Sequence, residues 1–169
     1  MSKEKIAAVL VALMVMVVWQ SAAQSICGKV TKVSDGDTVW ITDAANERHK
    51  IRLARIDAPE KSQPWGKESA AVLLGWVFEK NVRVEYTKRD KYGRILGTIF
   101  CGTNDINLAM IRTGNAWHYN NFDKTPAYGT AESAAKVARL GLWSQPDPIA
   151  PSKWRKAARR VCYNTRNVR

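Results

Sequence analysis

A five-stranded α+β barrel, OB-like in its strand count, follows from three features of the 169-residue sequence. Short apolar segments fill the first half, turns rich in Asp and Gly separate them, and helix-period stretches in the second half stop at Gly114 and Gly141. The length suits one domain, and 46% apolar residues can fill one hydrophobic core. A wholly disordered chain and a large multidomain enzyme are both excluded on those grounds.

Residues 1–23 are set apart from the fold. Lys3 and Lys5 precede an uncharged apolar run from Ile6 to Trp19, followed by Gln20-Ser21-Ala22-Ala23. That is the pattern of a secretory signal, and the run is short for a membrane span of about 20 residues. The expectation is export with cleavage near Ala23, to the periplasm or outside the cell.

The mature part, 24–145, is read as the barrel domain. Lys29–Val33 and Thr38–Thr42 flank the Asp-Gly turn Ser34-Asp35-Gly36-Asp37, and a second turn at Asp43–Asn46 leads into a strand over His49–Ile56. These form a three-strand meander. Pro64 and Gly66 break the chain before a helix over Glu68–Lys80, where Ala70, Leu73, Leu74 and Val77 recur at helical spacing. Val82–Tyr86 and Ile95–Cys101 complete five strands, and helices over Asn107–Thr113 and Thr130–Leu140 close the domain. The prolines of 146–151 make a linker. The tail, 152–169, carries seven Lys or Arg and no acid, with a short helix expected from near Ser152.

The net charge is +12, from 27 Lys or Arg against 15 Asp or Glu, and more than half of it sits in that tail. Such an excess points to an anionic partner, with nucleic acid and an anionic surface both open for the tail. Cys27, Cys101 and Cys162 allow three pairings of one disulfide with one free thiol in an oxidising compartment. No C-x-x-C pair is present and His49 and His118 are the only histidines, so a cysteine metal site is not indicated.

Three segments carry charges that a plain barrel does not need. Asp35-Gly36-Asp37-Thr38 aims a carboxylate out of a tight turn. Arg52-Leu53-Ala54-Arg55-Ile56-Asp57-Ala58-Pro59-Glu60 sets two acids where a strand ends. Asp90-Lys91-Tyr92-Gly93-Arg94 presents cations on another turn. Hard carboxylate oxygens from Asp37 and Asp57 suit a divalent cation, guanidinium forks suit a phosphate, and Glu60 suits the handling of a water proton. Phosphodiester cleavage is the chemistry this set fits. Each segment alone also has an ordinary reading, as a hairpin turn, a strand-edge ion pair or a helix start.

Taken together, the three segments resemble the signatures D-G-D-T, R-L-x-x-[IV]-D-x-P-E and D-K-Y-G-R of the staphylococcal nuclease (thermonuclease) family. They stand in the family's order, with Gly141-Leu142-Trp143 at the matching C-terminal end. The resemblance implies a five-stranded OB-type barrel with three helices that hydrolyses DNA and RNA with Ca²⁺, another divalent ion such as Mg²⁺ being compatible. It implies metal carboxylates at Asp37 and Asp57, and a metal-facing backbone carbonyl at Ala58, where the family often has Thr. Glu60 matches the general base or water-orienting carboxylate, Arg52 and Arg94 the phosphate-binding arginines. Lys91 and Tyr92 match residues that touch a neighbouring phosphate, and Tyr119 is the candidate for a base-packing tyrosine. The implied products end in 3′-phosphate, and the expected partners are DNA and RNA with single strands preferred. No dedicated protein partner is indicated, and a monomer is the default. The competing class is a catalytically silent nucleic-acid-binding module, which usually loses acids or arginines that all remain here.

Overall fold

The computed structural model describes residues 24–166, with side chains described as far as Arg160, so the expected signal segment lies outside the described residues. Strands β1 (Gln24–Asp35), β2 (Thr38–Asp43) and β3 (Arg48–Leu53) form the expected antiparallel meander. The far edge of β1 pairs with β5 (Asn81–Arg89), which turns back onto β6 (Ile95–Cys101). Parallel pairing of Ile51 with Ile95 and of Leu53 with Gly97 joins β3 to β6 and closes a five-stranded barrel. Closure removes the free edges that an open five-stranded sheet would expose.

Inward-facing β-branched and Leu side chains fill the barrel: Val30, Val39, Ile41, Ile51, Leu53, Val84, Ile95 and Ile99 are all buried. β1 is longer than the apolar run Lys29–Val33 indicated because it pairs with two neighbours at once. Backbone hydrogen bonds carry it through polar residues, and register slips after Val30 and Val33 bend it around the barrel.

The strand expected over His49–Ile56 is two strands. Arg55 adopts a left-handed conformation (φ 67°), and the chain leaves the barrel at Leu53. Ile56–Asp57 then forms β4, which pairs with β8 (Trp117–His118), setting Asp57 opposite Trp117. An apolar pattern cannot signal that bend, and it is what turns Asp57 toward the barrel rim.

Four helices are described, three on the barrel domain and one in the tail. Helix α1 spans Gly66–Val77 rather than Glu68–Lys80. It starts where Trp65 takes a left-handed conformation and its indole N–H donates to Asn115 Oδ1 (3.0 Å). Between β6 and α2 (Ile106–Arg112) lies the short β7 (Asn104–Asp105), and Asp105 caps α2 by accepting the Leu108 N–H. Helix α3 spans Pro126–Val137, earlier than Thr130–Leu140, because Pro126 suits a first helical turn. A 3₁₀ turn at Gly141–Ser144 follows, and the tail forms α4 (Pro151–Arg166). None of the described helices is long and apolar enough to cross a membrane.

Asn107 is fully buried and ties three segments together. Its Oδ1 accepts the Ile99 N–H, and its Nδ2 donates to the carbonyls of Ala54 and Gly97. Cys27 and Cys101 are free thiols. Cys27 faces Arg83 across β1 and β5, and Arg83 faces Phe100 across β5 and β6. The two cysteines are therefore two strand spacings apart, roughly 9–10 Å, beyond the reach of a disulfide. The Cys162 side chain lies outside the described residues.

Candidate active site

Asp37, Arg52, Asp57, Ala58 and Glu60 come together at one rim of the barrel. The turn between β1 and β2 presents Asp37, the end of β3 presents Arg52, and β4 with the segment after it presents Asp57, Ala58 and Glu60. Asp37 is 7% exposed and Asp57 3%, so two carboxylates share a nearly dry pocket.

Arg52 spans both acids. Its Nη1 lies 2.9 Å from Asp37 Oδ2 and its Nη2 3.0 Å from Asp57 Oδ1, while Nη1 also donates to the carbonyls of Leu53 and Ile56. Asp37 is further fixed by the Ala58 N–H, which donates to its Oδ2 (2.9 Å), and by Thr38 Oγ1, which donates to its Oδ1 (3.0 Å). Burial is the largest influence on the Asp37 carboxyl and pushes it up to about 7, against the pull of Arg52. Asp35 adds to the rise and the Ala58 N–H opposes it. Removal from water thus outweighs the attraction of Arg52 in setting the Asp37 carboxyl.

Gly36 is needed here for space. A Cβ on it would meet the Ala58 Cβ at 2.7 Å and collide with Ser69 Oγ, so the turn can lie this close to α1 only without a side chain.

Arg94, Lys91 and Tyr92 lie on the β5–β6 turn. Asp90 organises it, its Oδ1 accepting the N–H groups of Tyr92 and Arg94 and its Oδ2 pairing with Arg94 Nε at 2.7 Å. Burial raises the Asp90 carboxyl, but these donors outweigh it and hold it below the usual range. Tyr92 is 72% exposed, with Lys91 Nζ and the Arg94 guanidinium 5.1 and 5.5 Å from its ring centre. Among the described residues Arg94 forms no ion pair with Asp37, Asp57 or Glu60. The chain still brings it near, because Arg94 immediately precedes β6 and Arg52 is the register partner of Leu96, two residues further on.

Tyr119 follows β8. Its N–H donates to the Arg55 carbonyl (2.8 Å), and its ring stacks on that of Phe122 at 4.7 Å, leaving Phe122 77% exposed. His118 is a packing residue, its side chain buried and its Nε2 3.0 Å from Asp123 Oδ2.

Two residues of this neighbourhood were not singled out from the sequence. Arg155, on α4, donates from Nη1 to Glu60 Oε1 (2.7 Å) and from both terminal nitrogens to Asp57 (3.1 and 2.9 Å). Burial works against its charge, but the hydrogen bonds and charges of Asp57 and Glu60 outweigh that and keep the guanidinium protonated. Gln63 accepts the Glu60 N–H and donates to the Ile149 carbonyl, joining the site to the linker. The only signal for either was position, a cation early in a basic helix and a glutamine three residues after Glu60.

Asp43, Glu47 and His49 form a separate cluster at the β2–β3 turn. Asp43 is already engaged there by the N–H groups of Ala45 and Glu47 and by His49 Nε2.

A family model described as staphylococcal nuclease homologue matches residues 50–145. Similarity to individual proteins extends further. The chain is 41% identical over 128 residues to a protein of Haemophilus influenzae named uncharacterized endonuclease, covering 76% of this chain and 72% of that one. An Escherichia coli protein of the same name is 40% identical over 139 residues, 81% of this chain and 90% of that one. A probable staphylococcal-like nuclease of Oryza sativa subsp. japonica is 37% identical over 112 residues, 66% of this chain and 30% of that one.

Proposed function

The chain belongs to the staphylococcal nuclease family, and on that premise we propose that it is an exported, metal-dependent endonuclease that hydrolyses phosphodiester bonds of DNA and RNA. The observation that carries the reading is the convergence of Asp37 and Asp57 on Arg52 at one barrel rim, with Glu60 joined to Asp57 through Arg155.

The donor set fits a divalent cation. Asp37 and Asp57 offer hard oxygens in a pocket where removal from water raises the Asp37 carboxyl, so a bound cation would favour its ionised form. They would hold the ion together with the Ala58 backbone. When bound, Ca²⁺ or Mg²⁺ supplies charge neutralisation and a template for the scissile phosphate.

The protein's own groups do the rest. Arg52 commits Nη1 and one Nη2 hydrogen to the acids and nearby carbonyls, which leaves its Nε–H and a second Nη2–H as a fork for a phosphoryl oxygen. Arg94, held at the neighbouring strand start by Asp90, binds the phosphoryl group from a second direction and stabilises the charge that grows on it. Glu60 takes a proton from the attacking water. The water oxygen bonds to phosphorus, the bond to the 5′-oxygen breaks, and that oxygen is protonated from solvent, leaving 3′-phosphate and 5′-hydroxyl ends. Lys91 and Tyr92 contact a neighbouring phosphate, and Tyr119 packs a base of a single strand. The residues before Gln24 support export, with Edman sequencing of the mature protein as the check on cleavage after Ala23.

The deciding experiment is hydrolysis of single-stranded DNA in Ca²⁺ and in EDTA, with end-group analysis. Glu60→Ala is expected to lose about 10²–10⁴-fold in rate, and Arg94→Ala about 10²–10³-fold. Salt-sensitive binding without turnover in any divalent ion would instead make the chain a binding module. Undiminished cleavage by Glu60→Ala would remove that residue from the mechanism.

A further inference from the structure

Helix α4 reads in the sequence as a basic appendage, but one of its cations lies inside the candidate site. The Arg155 fork takes both carboxylate oxygens of Asp57, at 3.1 and 2.9 Å, and reaches Glu60 Oε1 at 2.7 Å. These are charge-assisted bonds to a carboxylate that is 3% exposed, the strongest class of side-chain hydrogen bond.

The placement is built into the fold on the linker side as well. Gln63, itself 6% exposed, accepts the Glu60 N–H with one end of its amide and donates to the Ile149 carbonyl with the other. Pro151 is buried at the helix start, and the N–H groups of Lys153 and Trp154 close the first turn on the Ala150 carbonyl. The helix therefore begins a fixed distance from Glu60. Arg155 lies one turn in, on the side that faces the acids. Its successor on the same stripe, Arg159, is exposed.

We infer that Arg155 is a tethered counter-cation that competes with the divalent ion for Asp57, so that the ion binds only as the guanidinium leaves. The inference rests on the metal-dependent reading above. With Asp37, Asp57 and Glu60 all ionised, as ion binding requires, the pocket holds three negative charges, and Arg52 offsets one. Arg155 offsets a second while it is docked. A divalent ion with Arg52 offsets all three, and Arg155 is then surplus on Asp57. Because each docked guanidinium must be displaced, apparent affinity for the ion is the intrinsic affinity multiplied by the fraction of molecules in which Arg155 is away from Asp57. Coupling is reciprocal, so the ion also weakens the hold of α4 on the site.

The test is Ca²⁺ and Mg²⁺ titration by isothermal calorimetry on mature full-length protein, comparing wild type with Arg155→Ala and Arg159→Ala. Both variants lose one positive charge from the same helix stripe, but only Arg155 touches Asp57. Arg155→Ala is expected to bind the ion at least 10-fold more tightly and Arg159→Ala within about 2-fold of wild type. Thermal melting gives a second readout. Without metal, Arg155→Ala melts below wild type, and saturating Ca²⁺ raises its melting temperature by more than it raises that of wild type. Equal or weaker affinity in Arg155→Ala overturns the exchange and leaves the nuclease reading intact. An equal gain in both variants overturns it too, since that is bulk electrostatics. Absence of binding in all three proteins overturns the metal-dependent reading and the exchange together.

Discussion

The backbone N–H of Ala58 donates to Asp37 Oδ2 over 2.9 Å, joining two segments 21 residues apart. The Asp37 carbonyl is held as well, accepting the Leu53 N–H at 2.8 Å. The acid that leaves the first turn is thus pinned by both its side chain and its backbone to the chain that carries the second acid. Site geometry here is barrel geometry, and changes that disturb the approach of these two segments reach both stability and chemistry.

Gly36→Ala makes the first case. The added methyl would sit 2.7 Å from the Ala58 Cβ and collide with Ser69 Oγ, which is fully buried and donates to the Asn115 carbonyl at 2.7 Å. Overpacking of this kind costs about 1–3 kcal/mol, to be read from urea unfolding. Weaker divalent binding should accompany it, because the methyl pushes Ala58 away from Asp37. Wild-type stability in this variant would mean that α1 can retreat.

Arg52→Ala removes the cation that spans Asp37 and Asp57. Two acids, 7% and 3% exposed, would then face each other with Asp37 unpaired, and the carbonyls of Leu53 and Ile56 would lose a donor. Breaking a buried pair in this way costs about 3–5 kcal/mol. Arg52→Lys keeps the charge but not the fork, so it should recover only part of that loss. Denaturant midpoints of the three proteins give the order expected: wild type, then Lys, then Ala.

The barrel was legible in the sequence because its strands alternate and its turns carry Asp and Gly. The acids of the site were legible because they stand in short segments where charge has no packing role. Less visible were features set by tertiary pairing. The bend at Arg55 splits an apolar run that reads as one strand, since β4 finds its partner in β8, about 60 residues on. Helix α1 starts at Gly66 because the Trp65 indole reaches Asn115, a bond no local pattern encodes. Arg155 was hidden for a different reason. In a tail with seven cations and no acid, nothing local distinguishes the one whose helix turn faces Asp57.

Asn107→Leu tests the link between α2 and the barrel. The side chain is fully buried and serves the Ile99 N–H and the carbonyls of Ala54 and Gly97. Leucine is of similar size but takes the side-chain partner from the Ile99 N–H and the Ala54 carbonyl, while the Gly97 carbonyl keeps the Ala54 N–H, at a cost of about 2–4 kcal/mol. Calorimetric unfolding at neutral pH measures it, and a loss under 1 kcal/mol would mean that water replaces the amide.

Asp123 gives the chain a pH dependence whose sign can be fixed. Burial raises its carboxyl, but hydrogen bonds from His118 and from the Thr125 side chain and N–H, with the charge of Arg55, outweigh it and hold it below the ordinary value near 3.8. A carboxyl lowered in the folded state stabilises fully above its unfolded pKa, and that stability is lost as pH falls through the folded value. The contribution is therefore complete at pH 5 and above and fades below about pH 4. Asp123→Asn removes it at every pH. The gap in melting temperature between wild type and Asp123→Asn should be widest above pH 5 and should close progressively toward pH 2. The site feels the same change, because Asp123 holds His118, and His118 pairs with Ile56 beside Asp57. A gap that stays constant across this range would show that Asp123 is not titrating against these partners.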